Sequence, residues 1–126
     1  MPIITVTARG TKSTSFKDAV FNALQDALFD AGVPRTNKFH RFVELPPEDF
    51  RFHDAFPDAR HPRTDDFLLI EVVWSTGRSV PVKKKMLETL AQALRASGLD
   101  PENVMVYFVD TAWENWACAG GRLTHA

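Results

Sequence analysis

The sequence predicts an α+β fold, a two-layer sandwich in which a duplicated β-α-β unit sets two helices on one face of a four-stranded mixed sheet. Three observations predict it. The chain repeats itself: Ser13 matches Ser79 and Gly32 matches Gly98, each 66 positions on, with no gap in the register. Each copy carries an amphipathic helical pattern between two strand patterns. The 126 residues, 44% of them hydrophobic, suffice for one core and are too few for two ordinary domains, so a single domain over 1–126 is expected.

The elements follow in order. Behind Pro2, IITVTA alternates and reads as a strand. Ser13 opens a helix in which Phe16, Val20, Ala23, Leu24, Ala27 and Leu28 recur at three- and four-residue spacings on one face, and Gly32 closes it. KFHRFVEL supplies a second strand, completing a half of about 2–45. The connection, about 46–65, is dense in Pro, Asp and aromatic residues; it reads as irregular, with Phe50, Phe52 and Phe56 expected to anchor it. The second half, about 66–110, repeats the plan. DFLLIEVVW is its first strand, and Ser79 opens a helix with Pro81 in the first turn, where a missing N–H costs little. Val82, Met86, Leu90, Ala93 and Leu94 form its apolar face, Gly98 closes it, and NVMVYFVD is the last strand. The tail, 111–126, lacks helical periodicity, and Gly120-Gly121 suits a turn. A strand, helix and strand in one sheet predict a parallel pair with a right-handed crossover. Apolar residues at successive positions of LLIEVVW and VMVYFV imply that both sheet faces lie against something dry. Two helices cover one face, so self-association is expected for the other.

Composition narrows function. Fifteen Lys and Arg against sixteen Asp and Glu give a net charge of −1, so no general field favours nucleic acid or an anionic membrane, and neither is an expected partner. No apolar run approaches a membrane span and no basic segment leads into one. Cys118 is the only cysteine, which excludes an intrachain disulfide and a thiolate cluster; a reducing, cytoplasmic location is expected. His53 and His61 lie among Asp54, Asp58, Asp65 and Asp66 without metal-ligand spacing, so no metal is expected. Lys83, Lys84 and Lys85 occupy successive helix positions and read as a soluble face.

Two residues carry possible chemistry. Removal of Met1 would make the Pro2 nitrogen a secondary amine; a free α-amino group has a reference pKa of roughly 7.7–8, and burial or a neighbouring cation lowers it. Arg78 precedes the second helix, whose free N–H groups and dipole also attract anions. Pro2 before the first strand, the two β-α-β halves, VPRTNKF after the first helix, GRSVPVKK at the second and ENWACAGGR near the end together resemble the tautomerase superfamily, in its malonate semialdehyde decarboxylase-like branch. The resemblance spans nearly the whole chain. It implies a homotrimer, no cofactor, an amino-terminal proline as catalytic group and Arg78 as anchor for a substrate carboxylate. It departs from that branch at three places: Asn37 stands where an aspartate is expected, Thr76 where a second arginine is expected, and Cys118 where a phenylalanine is expected. An amide neither carries charge nor takes a proton, so decarboxylation and water addition are weakened while proline chemistry survives. The reading is a cofactor-independent keto-enol tautomerase acting on a small 2-keto or enol carboxylic acid. Its catalytic residues are Pro2, Asn37 and Arg78; Thr76, Trp116 and Cys118 contact substrate, and Trp113 and Tyr107 are further candidates for an apolar wall. The alternatives are a decarboxylase or hydratase of a 3-oxo or unsaturated acid, and an inactive trimeric binding protein.

Overall fold

A computed structural model describes residues 2–124. Strand β1 (Ile3–Arg9) leads into helix α1 (Thr14–Asp30) and strand β2 (His40–Leu45); β3 (Leu68–Ser75), α2 (Val80–Ala96) and β4 (Val104–Thr111) repeat that order. Both helices have 17 residues, and their starts and ends are displaced by the same 66 positions as the sequence repeat. The Ser13 hydroxyl accepts the Phe16 N–H at 3.1 Å and the Ser79 hydroxyl accepts that of Val82 at 3.4 Å, so each serine satisfies a donor that the first helical turn leaves free.

The sheet order is β2-β1-β3-β4. β1 runs parallel to β2 and β3 parallel to β4, while β1 and β3 meet antiparallel with Ile3 opposite Val73. Each half is thus the predicted β-α-β unit, and the two join back to front at the sheet centre. Ile4, Val6 and Ala8 of β1, with Leu68, Ile70, Val72 and Trp74 of β3, form one core with Val20, Leu24 and Leu28 of α1 and their repeat mates Met86, Leu90 and Leu94 of α2. Burying each large side chain contributes about 1.5–3 kcal/mol. Among the described residues the other face has no helix: Tyr107 and Val109 are 41% and 40% exposed there, so the successive apolar residues of β4 divide between a covered and an open face.

The connection is tied down less fully than expected. Phe50 and Phe52 cluster with Phe67, at ring distances of 5.4, 6.0 and 4.4 Å, but Phe56 is 73% exposed and anchors nothing. The tail forms a small hairpin, β5 (Ala117–Ala119) with β6 (Arg122–Leu123). Gly120 and Gly121 turn it with φ of 59° and 69°, values that side chains disfavour and a tight hairpin turn requires at both central positions.

Candidate active site

The topology gathers one set of termini at one end of the sheet. Because β1 and β3 are antiparallel and each has a parallel outer neighbour, the starts of β1 and β2 lie beside the ends of β3 and β4. Pro2, the loop 31–39, residues 75–79 and the segment after Asp110 therefore meet there.

Pro2 is fully buried. It shares the alternation of Ile4 and Val6, which faces the helices, and one step beyond the Ile3–Val73 pair sets it opposite Trp74. Trp74 is itself fully buried and stacks on Phe108, with ring centroids 5.1 Å apart and 17° between planes. Its indole Nε1 donates to Asp110 Oδ1 at 2.8 Å, and Lys83 Nζ contacts Asp110 Oδ2 at 3.2 Å. Lys83 is thus committed to a strand end rather than to a soluble face. Desolvation pushes the Asp110 carboxyl up, but the bonds from Lys83 and Trp74 and the charges of Lys83 and Arg78 outweigh it and hold its pKa below the ordinary aspartate value.

Arg78 is half-buried. Its guanidinium lies 4.4 Å from the Trp74 ring centroid and donates from Nη1 to the Ser75 carbonyl at 2.9 Å. Burial lowers its pKa and the neighbouring Asp110 opposes that shift. Both Asp110 oxygens have other donors, and Arg78 has no ion pair with any described residue. A desolvated cation, fixed by stacking and one backbone bond, stands two residues before α2 near the Asp110 charge but without a salt bridge to any described carboxylate.

Asn37 lies in the loop after α1, its N–H donating to the Pro34 carbonyl at 3.0 Å. Its side-chain Oδ1 is buried and has no partner among the described residues. The repeat supplies a comparison: Asn103 forms the same turn, with its N–H on Asp100 O at 3.0 Å, but its Oδ1 accepts the Thr64 N–H at 2.9 Å and its Nδ2 donates to Thr64 Oγ1 at 3.1 Å. The connection completes the amide of Asn103 and nothing described completes that of Asn37.

Trp116 is 9% exposed, with its indole Nε1 buried and unpartnered. With Cys118, Ala117, Ile3 and Phe39 it lines a cavity of about 200 Å³. Trp116 and Cys118 are thus brought together beside Ile3, the neighbour of Pro2. Thr76 is at the same end but exposed, its N–H bonded to Thr111 O at 3.0 Å. Tyr107 is elsewhere, on the open face at mid-sheet, donating to Glu71 Oε2 at 2.6 Å, and Trp113 is 43% exposed. Among the described residues no cluster of His, Cys, Asp and Glu is arranged to hold a metal, and no helix is long and apolar enough to cross a membrane.

The sequence reading gives no site role to Trp74, Ser75 or Asp110, and assigns Lys83 to a soluble face. The repeat held the signal for two of them: Lys17 pairs with Glu44 at 3.1 Å, and 66 positions on Lys83 pairs with Asp110 at 3.2 Å.

Residues 37–119 match the family described as "Tautomerase enzyme". No curated protein sequence matches the chain significantly. Among solved structures, FG41 malonate semialdehyde decarboxylase inhibited by 3-bromopropiolate superposes with a TM-score of 0.86 at 20% identity, over 98% of this chain and 93% of that one. A second malonate semialdehyde decarboxylase gives 0.85 at 22% identity, over 96% and 93%. A fused 4-OT symmetric trimer gives 0.70 at 23% identity, over 96% and 94%. These likenesses show the fold.

Proposed function

The chain belongs to the tautomerase enzyme family, and on that premise we propose that it is a cofactor-independent keto-enol tautomerase of small 2-keto carboxylic acids with Pro2 as its base. The observation that carries the reading is Arg78: a half-buried guanidinium, held by Trp74 and Ser75, that forms no salt bridge with any described carboxylate, the nearby Asp110 oxygens being bonded to Lys83 and Trp74. A substrate carboxylate supplies that partner, and the free N–H groups at the start of α2 add to the attraction.

With Met1 removed, Pro2 carries a secondary amine, and its buried position disfavours the ammonium form. The neutral nitrogen takes a proton from the carbon beside the carbonyl. The C–H electron pair becomes the C=C bond, the carbonyl pair moves onto oxygen, and the proton returns to that oxygen to give the enol. Asn37 offers its amide to the same oxygen as charge grows there, and Thr76 can add a hydroxyl. A trimer completes the assembly: neighbouring folds include a trimer, and the helix-free sheet face, with Tyr107 and Val109 exposed, is the surface it would bury.

A decarboxylase or hydratase is the second reading, favoured by the two high superpositions, one of them on a protein described by its decarboxylase and hydratase activities. Asn37 and Thr76 argue against it, since neither supplies a charge. Ketonisation of an enol pyruvate derivative, followed by ultraviolet absorbance, tests the first reading. The protein, shown by intact mass to lack Met1, should accelerate it and Pro2→Ala should not. Equal rates in the two proteins would remove Pro2 from the mechanism.

A further inference from the structure

At the Pro2 end of the sheet the groups buried without a partner among the described residues include, besides Asn37 Oδ1 and His40 Nε2, the Trp116 indole Nε1 and the Ser75 hydroxyl. Neither residue is on the surface, Trp116 being 9% exposed and Ser75 1%. Leaving such a group unpaired costs folding free energy, so a native structure keeps one where a ligand or ordered water completes it.

Their placement narrows the ligand. Trp116 lines the cavity of about 200 Å³ together with Ile3, Phe39 and Ala117. Ile3 follows Pro2 and pairs with Val73; Ser75 lies two residues farther along β3, on the same face of the sheet as Val73. The lining thus includes Trp116, whose indole N–H is buried, and Ser75 stands two residues along β3 from the partner of Ile3. The indole donates and cannot accept, so the group that completes it is an acceptor. Arg78, the anion anchor, is three residues beyond Ser75 and bonded to its carbonyl.

We propose that the Trp116 indole N–H and the Ser75 hydroxyl bind the oxo oxygen of the substrate, and that this pair makes the site selective for 2-oxo acids over acids that lack the oxygen. The proposal rests on the assignment of Arg78 as the carboxylate anchor. Both bonds strengthen as the oxygen gains charge on the way to the enolate, so the pair acts on the transition state as well as on binding. An acid without the oxygen leaves both donors unpaired, the arrangement that discriminates most strongly between near-identical ligands.

The test is a binding measurement on the full chain with pyruvate and propanoate, which differ in the oxo group. With ¹⁵N-labelled indoles, the three tryptophan N–H signals are assigned by single Trp→Phe changes. Pyruvate should move the Trp116 indole proton downfield and propanoate should leave it in place. Trp116→Phe, which keeps the apolar wall, should weaken pyruvate binding about tenfold and leave propanoate affinity unchanged. Ser75→Ala should act in the same direction, and it keeps the test available should Trp116→Phe fold poorly. Equal losses for both acids, an unmoved Trp116 signal, or no binding of either acid would overturn the proposal. Selective binding without proton transfer by Pro2 would overturn the tautomerase reading and leave this inference standing; ketonisation without selectivity would do the reverse.

Discussion

Asn37 and Asn103 occupy equivalent turns 66 positions apart, and removing each amide should have opposite consequences. Asn103 is 8% exposed and loses two bonds to Thr64, of 2.9 and 3.1 Å, on substitution by alanine. At about 1 kcal/mol net for each bond, Asn103→Ala should destabilise by about 2 kcal/mol, a fall in Tm of roughly 6–10 °C for a chain of this size. Asn37 loses no described side-chain bond, so Asn37→Ala should lie within about 0.5 kcal/mol of the parent or slightly above it. Activity should invert the order: Asn37→Ala should lower kcat for ketonisation about a hundredfold, as removal of one donor to a developing oxyanion does, and Asn103→Ala should leave it unchanged well below its Tm. Urea unfolding at one fixed protein concentration, so that assembly affects all variants alike, together with the absorbance assay, measures both. If Asn37→Ala destabilises as much as Asn103→Ala, its amide has a structural partner and is not free to serve substrate.

Two further outcomes follow from the same end of the sheet. Asp110 has a folded pKa below its unfolded value, so its contribution is complete above the unfolded value of roughly 3.9 and is lost as pH falls through the folded one. Asp110→Asn should therefore be less stable than the parent at pH 7, with the gap closing below about pH 4; a gap in urea midpoint that does not change with pH would mean that the Lys83 and Trp74 contacts do not depend on the charge. The double change Asn37→Asp and Thr76→Arg adds an acid and a second cation to the site, and proton NMR should then detect more decarboxylation of a 3-oxo acid than the parent gives. No gain would place the obstacle elsewhere, with Cys118 the next position to change.

Much of the fold was legible because the signals that specify it are local and occur twice. Ser13 and Ser79 cap, Gly32 and Gly98 terminate, and the apolar positions between them keep one spacing, so the two helices and their common face could be read before any packing was known. The tail hairpin could not, because strands of three and two residues are too short to show alternation. Phe56 departs from its expected role for a related reason: an aromatic residue in a loop anchors only if the chain brings it to a neighbour, and that depends on the path of the connection. The candidate residues came from the family resemblance, and the structure gathers Pro2, Asn37, Arg78, Trp116 and Cys118 at one end of the sheet. The supports of that end were not legible, since the Trp74–Asp110 bond joins the ends of two strands and no spacing along the chain marks it.

The repeat singles out the candidate end of the sheet once its two copies are compared contact by contact. In the first half, Lys12 stands where the second has Arg78, and it is spent: its Nζ donates to the Asp65 carbonyl at 2.6 Å and contacts Asp66 Oδ1 at 3.3 Å. Leu68 stands where the first half has Pro2, and the amide of Asn103, the mate of Asn37, is saturated by Thr64. At that end of the sheet the connection brings in Thr64, Asp65 and Asp66 and satisfies the groups. At the other end Arg78 bonds the Ser75 carbonyl but no carboxylate among the described residues, and the side-chain oxygen of Asn37 has no described partner, beside a buried proline. Duplication made both ends alike in backbone, so packing and capping do not explain the difference between them. That asymmetry is what the proposed site requires: a substrate carboxylate would pair with the Arg78 guanidinium, and a hydrogen-bond donor from ligand or water would complete the Asn37 oxygen.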